Sequence, residues 1–583
     1  MRRALLLAAY ALWCGFDQVK AETDRAEQIE LWNAATKLAL AEDDASTPFA
    51  PPALQDEWYI VKIANVSVGF MHTFTECNDT SSMTMEIMDV QVSRGSDTSR
   101  MAFETVFDET PLEQHDVLQI PEEEAVTGGV KVMAYDQRFA NNEVRMKAHI
   151  NDTNVTLISF NGEKAHTSVL PNPDVPWFGR LRARLSFTRQ CRQGVPEIVV
   201  QTMRPELGPR VVNLSSTFVR LDKAWDGVEW VEASIWTVQI SDVPVNMTEA
   251  YPTRGPLRCY RMLQMGLDMP FGYLLASLEE KALALEAAED NPDRVLPELV
   301  YTMFVQLKRP IERVNEARMV KLRVTLKGEK APPKLELPSG GYQKVTRSKK
   351  SEATLTVVID LQNPVAATKE ELAEVEYLKP SAMVDSSDEV VIQLAHSGDE
   401  QLHKEGYKVP KGDDIPVRLQ PELAYMLRDI VHNHIVDKHL STAYASASET
   451  ARTGSGDCTE HAVLLAAVLK ARGIPSRVCH GLVYVEQGGS AITGSAEVDA
   501  NGNVQTGGSS VSGQFGWHMW SQAMINGVWH DLDATLQVPY SVGHVLVGTS
   551  SMADKEAHNN HMQMAALIGN LDIDVLDVSH KWR

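Results

Sequence analysis

One stretch of this chain, residues 453–473, leaves few ways to fold. It reads Thr-Gly-Ser-Gly-Asp-Cys-Thr-Glu-His, then Ala-Val-Leu-Leu-Ala-Ala-Val-Leu-Lys-Ala-Arg-Gly. Asp457 is a good N-cap, and Glu460, three residues on, completes an Asp version of the capping box. The helix started there runs to about Arg472, where Gly473 is a natural stop. Ala, Val and Leu surround it, so it is a central, buried helix. Cys458 falls at its first helical position. There the unsatisfied N–H groups and the helix dipole favour negative charge, which raises the thiolate fraction of a thiol. The same N–H groups offer part of an oxyanion hole. A buried structural cysteine is the plainer alternative, and the Gly-rich approach over 454–456 argues against it.

A second constraint lies downstream. Asn526-Gly527 separates two apolar-patterned runs, Phe515 to Ile525 and Val528 to Thr535, which is the strongest short hairpin signal. A two-residue turn sets Ile525 opposite Val528, Trp520 opposite Asp533 and His518 opposite Thr535. His518 and Asp533 are then diagonal neighbours on one face, with backbones roughly 7–8 Å apart. A carboxylate bridges that gap to an imidazole. The other face carries Trp517, Met519, Ala523, Leu532 and Ala534, apolar enough for a core. A turn one residue longer would break the arrangement.

These pieces compose a thiol acyl-transfer site. Cys458 is the expected nucleophile, His518 the group that takes and returns its proton, and Asp533 the group that orients the ring and stabilises imidazolium. Trp520 would shield them from water, and Asp457 supports Cys458 from the N-cap. Rivals are weaker. His461 rides the same helix as Cys458 and points into the fold. His530 lies on the opposite hairpin face. Asp531 shares a face with Asp533 and is the nearest rival acid. His432, His434 and His439 invite a metal reading, but their spacing matches no zinc motif; capping, core or surface roles suit them better. No metal and no cofactor is expected.

The rest of the chain sets the context. At 583 residues it exceeds a single hydrophobic core. The formal net charge of −23 argues against nucleic acid and anionic membranes as partners. Arg2 and Arg3, the apolar run Ala4 to Phe16, and Val19 and Ala21 at small-residue positions have the form of an export signal cleaved after Ala21. That places the protein in a secreted, periplasmic or other extracytoplasmic compartment. No later apolar run reaches about 18 residues, so no membrane insertion is expected beyond the signal. Cleavage removes Cys14 and leaves Cys77, Cys191, Cys259, Cys458 and Cys479. The count is odd, so at least one thiol stays free or pairs between chains. Cys458 is the favoured free thiol, and one pair among Cys77, Cys191 and Cys259 is open.

Residues 22–55 read as a leader. Runs such as Trp58 to Phe74, Ser82 to Val92, Val130 to Tyr135, Val144 to Ile150, Val155 to Phe160 and Trp230 to Ile240 alternate with period two, so 56–255 reads as an all-β domain. Leu274, Leu275, Leu278, Ala282 and Leu285 have helical spacing and suggest a connecting helical segment within 256–295. Residues 296–410 read as a small α+β module, and 415–583 as the catalytic domain. A helix is expected to begin near Pro421. Residues 486–514, rich in Gly and Ser, read as a loop.

Gly-Asp-Cys-Thr-Glu-His-Ala (456–462), Arg-Gly-Ile-Pro-Ser-Arg (472–477), His-Met-Trp (518–520), and Trp529 followed by Asp533-Ala534-Thr535 occur in an order that resembles the transglutaminase-like superfamily. The resemblance covers about 415–545. It implies an α+β fold with a papain-like transglutaminase core at the C-terminal end, a central helix on an antiparallel sheet. It also implies a Cys–His–Asp triad on Cys458, His518 and Asp533, and a protein or peptide substrate. Members cross-link Gln to amines, hydrolyse amides, or have lost activity. Paired CxxC zinc motifs, usual in the peptide N-glycanase branch, are missing here. Thiol-dependent hydrolysis of peptide or protein amides is favoured slightly over protein-glutamine cross-linking. A non-catalytic binding or scaffold role is the third alternative, and the oligomeric state is left open.

Overall fold

The computed structural model describes residues 25–42, 49, 51–94, 97–111, 129–139, 142–161, 164–205, 208, 210–241, 243–269, 272–291, 294, 296–297, 304–327, 334–347, 351–408, 415–437, 445–486, 513–554 and 567–581. The expected signal 1–21, most of 486–514 and His439 lie outside the described residues.

The alternating runs of the N-terminal half become one fourteen-stranded antiparallel sheet. In space it steps from Lys164–Pro171 back through the chain to Leu54–Ile63. That strand pairs with Gly272–Glu279, from which the sheet steps back again to Glu197–Met203. Leu54–Ile63 shows why. Tyr59, Val61 and Ile63 are buried while the residues between them are only partly so, the mark of a half-buried strand. Ala64 and Asn65, both at positive φ, turn the chain into Val66–Cys77.

Helices Arg25–Glu42 and Arg180–Arg192 cover part of this sheet. Trp32 stacks on Phe218 with ring centroids 5.0 Å apart and meets Trp236 edge-on at 5.7 Å, beside Phe187 and Tyr251. A disulfide joins Cys191 to Cys259, which resolves the open pairing and leaves Cys77 free.

The helical reading of Leu274 to Leu285 holds only at its end, for Ala282 and Leu285. Gly272–Glu279 is a strand between Leu54–Ile63 and Gln264–Met269, and the helix is only Lys281–Glu286. Leu274, Leu275, Ala276 and Leu278 are all buried. A strand covered on both faces is apolar without alternation, so its short run mimics helical spacing.

Among the described residues, the C-terminal half has nine strands and, besides the short helix Lys369–Ala373, four α-helices, the last of which begins at Cys458. The strands are β1 (Phe304–Gln306), β2 (Met319–Leu326), β3 (Gln343–Arg347), β4 (Thr354–Asp360), β5 (Ser476–Glu486), β6 (Gly513–Ile525), β7 (Val528–Leu532), β8 (His544–Ser550) and β9 (Leu571–Ser579). One sheet has the order β1-β6-β5-β8, with β7 also pairing β6; the other has the order β3-β4-β2-β9. The two share a core that includes Leu322, Val324, Val357 and Ile359 on one side and Leu482, Phe515 and Val545 on the other. Segment 296–360 therefore completes both sheets: β1 pairs with β6 and β2 pairs with β9.

Those four are α1 (Glu389–Lys404), α2 (Gln420–His434), α3 (Ala447–Thr453) and α4 (Cys458–Ala471). Pro421 sits in the first turn of α2. Helix α4 lies between β5 and β6 on one side and α1, α2 and α3 on the other. Every residue from Glu460 to Lys470 is buried, and each fully buried leucine there contributes about 2–3 kcal/mol of apolar burial. The architecture is mixed α and β: a large β domain followed by a helix-on-sheet core. Among the described residues no helix is long and apolar enough to cross a membrane.

Candidate active site

The start of α4 forms as its residues require. Asp457 caps it, its side chain accepting from the Thr459 N–H at 2.9 Å, and the capping box with Glu460 is complete. Gly456, at φ +154°, approaches so closely that a Cβ would lie 2.3 Å from the Glu460 side chain. Burial and then the neighbouring Asp457 charge push the Glu460 carboxyl up to about 9. The Asp457 carboxylate occupies the N–H groups of Thr459 and Glu460. Those two are therefore not free for an oxyanion, contrary to the expectation from helix geometry. Cys458 is half-buried at the first helical position.

The hairpin has the two-residue turn. Asn526 and Gly527 sit at φ 53° and 75°, the type I′ conformation that Asn-Gly favours. The ladder runs from Ile525 opposite Val528 to Ser521 opposite Leu532. Met519, Ala523, Leu532 and Ala534 enter the core around α4. On the other face, just past the end of β7, Asp533 Oδ2 meets His518 Nε2 at 2.7 Å. Asp533 leaves Nδ1 of His518 open, and Cys458 lies close enough to the ring to help raise its pKa. Cys458, His518 and Asp533 are thus brought together, with His518 hydrogen-bonded to Asp533.

The carboxylate of Asp533 is held from all sides. Oδ1 accepts the N–H groups of Thr535 at 2.7 Å and Leu536 at 3.2 Å. Oδ2 meets not only His518 but also His544 Nε2, at 3.0 Å. The Asp533 N–H donates to the Pro539 carbonyl at 2.6 Å. Buried Arg428 of α2 donates through Nε to the Asp533 carbonyl at 2.5 Å and through Nη2 to the Leu536 carbonyl. Asp533 and His544 are 0% and 1% exposed, and His518 is 6%.

The electrostatics follow from that burial. Burial alone would lower the His518 pKa, but the Asp533 charge and hydrogen bond, then Cys458, raise it to about 10. Burial alone would raise the Asp533 carboxyl. The charge and hydrogen bond of His518, then those of His544, instead hold it far below the usual carboxylate range. An imidazolium paired with a carboxylate is the state that this surrounding favours.

The other sequence candidates fall into place. Trp520 is 1% exposed, lies nearly parallel to the His518 ring at 6.3 Å, and donates through Nε1 to Asp531 at 2.8 Å. Gly481 makes room for its indole, since a Cβ there would stand 2.6 Å from the Trp520 ring. Asp531 accepts from Trp520, from Gln522 Nε2 at 2.7 Å and from the Tyr342 N–H at 3.3 Å; burial pushes its carboxyl up. It supports the indole rather than an imidazole. His461 is buried, with Nδ1 2.6 Å from the Asp457 carbonyl. His432 and His434 each face a backbone carbonyl, those of Ala534 and Ala451, at 2.8 Å. Cys479 is core, its thiol pushed up chiefly by burial.

Sequence reasoning missed His544 and Arg428. Neither belongs to the hairpin. His544 arrives through β8, whose register against β5 pairs it with Val483, and no local pattern announces that contact. Donor atoms of His518, Asp533 and His544 lie within 4.8 Å of one another, close enough for a metal ion. Both Nε2 atoms already point at one carboxylate oxygen, so hydrogen bonding accounts for their convergence.

Residues 417–534 match the transglutaminase-like superfamily. No curated protein matches the chain. Among solved structures, a candidate cysteine protease from Cytophaga hutchinsonii aligns at 14% identity over 47% of this chain and 86% of its own, with a TM-score of 0.22. The periplasmic domain of TgpA from Pseudomonas aeruginosa, bound to ethylmercury, aligns at 15% identity over 42% of this chain and 88% of its own, with a TM-score of 0.20. At such TM-scores these likenesses carry no weight for the site.

Proposed function

We propose that this chain, with its transglutaminase-like segment at 417–534, is an extracytoplasmic thiol enzyme that transfers acyl groups from peptide or protein amides, with water as the favoured acceptor. The observation that carries the reading is the placing of the His518–Asp533 pair beside Cys458 at the N-terminus of a buried helix. Cys458 attacks the amide carbonyl carbon as thiolate, forming a C–S bond. When the tetrahedral adduct collapses, the C–N bond breaks and the His518 proton goes to the departing amine. Water, or an amine, then attacks the thioester while His518 takes its proton, and the C–S bond breaks to release acid or new amide. Asp533 keeps the imidazole oriented and its positive charge stabilised throughout. Trp520 packs beside the ring and limits water there.

The test is incubation with a Gln-containing protein, with and without a fluorescent amine, comparing wild type with Cys458→Ala. Fragments or released ammonia lost in Cys458→Ala support hydrolysis. Amine incorporation replaces hydrolysis with cross-linking. Wild-type Cys458 that alkylates with iodoacetamide no faster than an ordinary thiol at neutral pH would refute a thiol enzyme.

A further inference from the structure

His544 stands outside the Cys–His–Asp scheme, yet it is buried against the centre of it. Its two ring nitrogens each face an acceptor. Nε2 lies 3.0 Å from Asp533 Oδ2 and Nδ1 lies 3.1 Å from the Ser541 carbonyl oxygen. A carboxylate and a carbonyl only accept, so both nitrogens must carry hydrogen for both bonds to form, and a ring with two N–H groups is an imidazolium. Its ring centroid is 6.0 Å from that of His518 and 5.2 Å from that of Trp520. Tyr540 also lies against it, at 4.5 Å. The titratable groups around it are Asp533, Asp531, His518 and Tyr540, with Cys458 beyond His518.

The charges can be counted. Burial pushes the Asp531 carboxyl up, toward its neutral form; a thiolate at Cys458 and an imidazolium at His518 cancel. Asp533 then remains as an uncompensated buried anion, which is costly. A positive His544 cancels it. When His518 gives up its proton to a leaving group, Asp533 and His544 still form a neutral buried pair. We propose that His544 is a positioning residue of the site: a fixed positive charge, doubly hydrogen-bonded, that balances Asp533 and so allows Cys458 to ionise beside it. The inference rests on the thiol reading above.

The experiment is the pH dependence of iodoacetamide alkylation at Cys458, read on the Cys458 peptide in the full chain, for wild type, His544→Gln and His544→Leu. Gln keeps a donor of similar reach without charge, and Leu keeps neither. A unit charge removed from beyond the His518 ring, whose centroid is 6.0 Å from that of His544, at an effective dielectric constant of about 20, moves the half-maximal pH of the acid limb upward by about one unit. Both variants should show that rise by a similar amount, whatever their melting temperatures. His544→Gln with the wild-type acid limb would overturn the proposal, because hydrogen bonding alone would then suffice. Should His544→Leu fail to fold, His544→Gln decides alone. A wild-type Cys458 that alkylates like an ordinary thiol would sink the thiol reading itself, a result distinct from unchanged variants of a fast-reacting wild type.

Discussion

Replacing Asp533 by Asn should slow alkylation of Cys458 by roughly 10²–10³-fold at neutral pH, and the structure supplies the reason. Oδ1 of Asp533 is fixed by the N–H groups of Thr535 and Leu536. The amide oxygen of the introduced Asn side chain must therefore stay there, which turns its NH₂ toward the Nε2 atoms of His518 and His544. Donors would face donors. His518 escapes by surrendering its Nε2 proton, and its imidazolium state loses its support. That state is what Asp533 sustains, its charge and hydrogen bond being the main causes that lift His518 from 6.5 to about 10. A change of more than three in pKa corresponds to about 4–5 kcal/mol at about 1.4 kcal/mol each. Cys458 supplies part of the rise, so about 3–4 kcal/mol belongs to Asp533, in line with breaking a buried ion pair. The assay is the pseudo-first-order rate of iodoacetamide labelling on the Cys458 peptide, with circular dichroism to verify folding. A folded Asp533→Asn protein labelling within about threefold of wild type would refute the reasoning.

Two further outcomes are expected. The raised His518 pKa gives stabilisation that is complete below pH 6.5 and lost as pH rises through about 10, while the lowered Asp533 carboxyl stabilises above its ordinary 3.8 and loses that only on acidification. The melting-temperature gap between wild type and His518→Gln should therefore be widest near pH 4–6 and close toward pH 10; a gap that widens from pH 6 to 9 would contradict it. Replacing Cys191 and Cys259 by Ser opens a link spanning 68 residues, worth about 4 kcal/mol on the chain-entropy model. Calorimetry should show the β domain melting earlier, with the Cys458 labelling rate unchanged; a parallel fall in labelling would mean that the two halves are coupled.

Much of the site was legible because its signals are local. A capping box fixes which residue begins a helix, so Asp457 and Glu460 place Cys458 without any tertiary knowledge. An Asn-Gly turn with both residues at positive φ fixes a register, and register fixes which side chains share a face. Together these put His518 beside Asp533 from sequence alone. Strand alternation likewise announced the β-rich half, as in Leu54–Ile63. Periodicity failed at Gly272–Glu279, where burial on both faces erased the alternation that distinguishes a strand from a helix.

What only the tertiary structure decided are contacts between segments that share no turn. Arg428 reaches the Asp533 loop from a helix 105 residues earlier in the chain, and β1 and β9 complete sheets whose other strands lie far from them in sequence. Cys191 chose Cys259 over Cys77 because the fold brought their backbones to 5.9 Å. His544 reached Asp533 through the pairing of β8 with β5. A sequence states its short-range geometry through backbone preferences. It gives no comparable sign for a hydrogen bond between separate strands, whose partners are chosen by how the whole core packs.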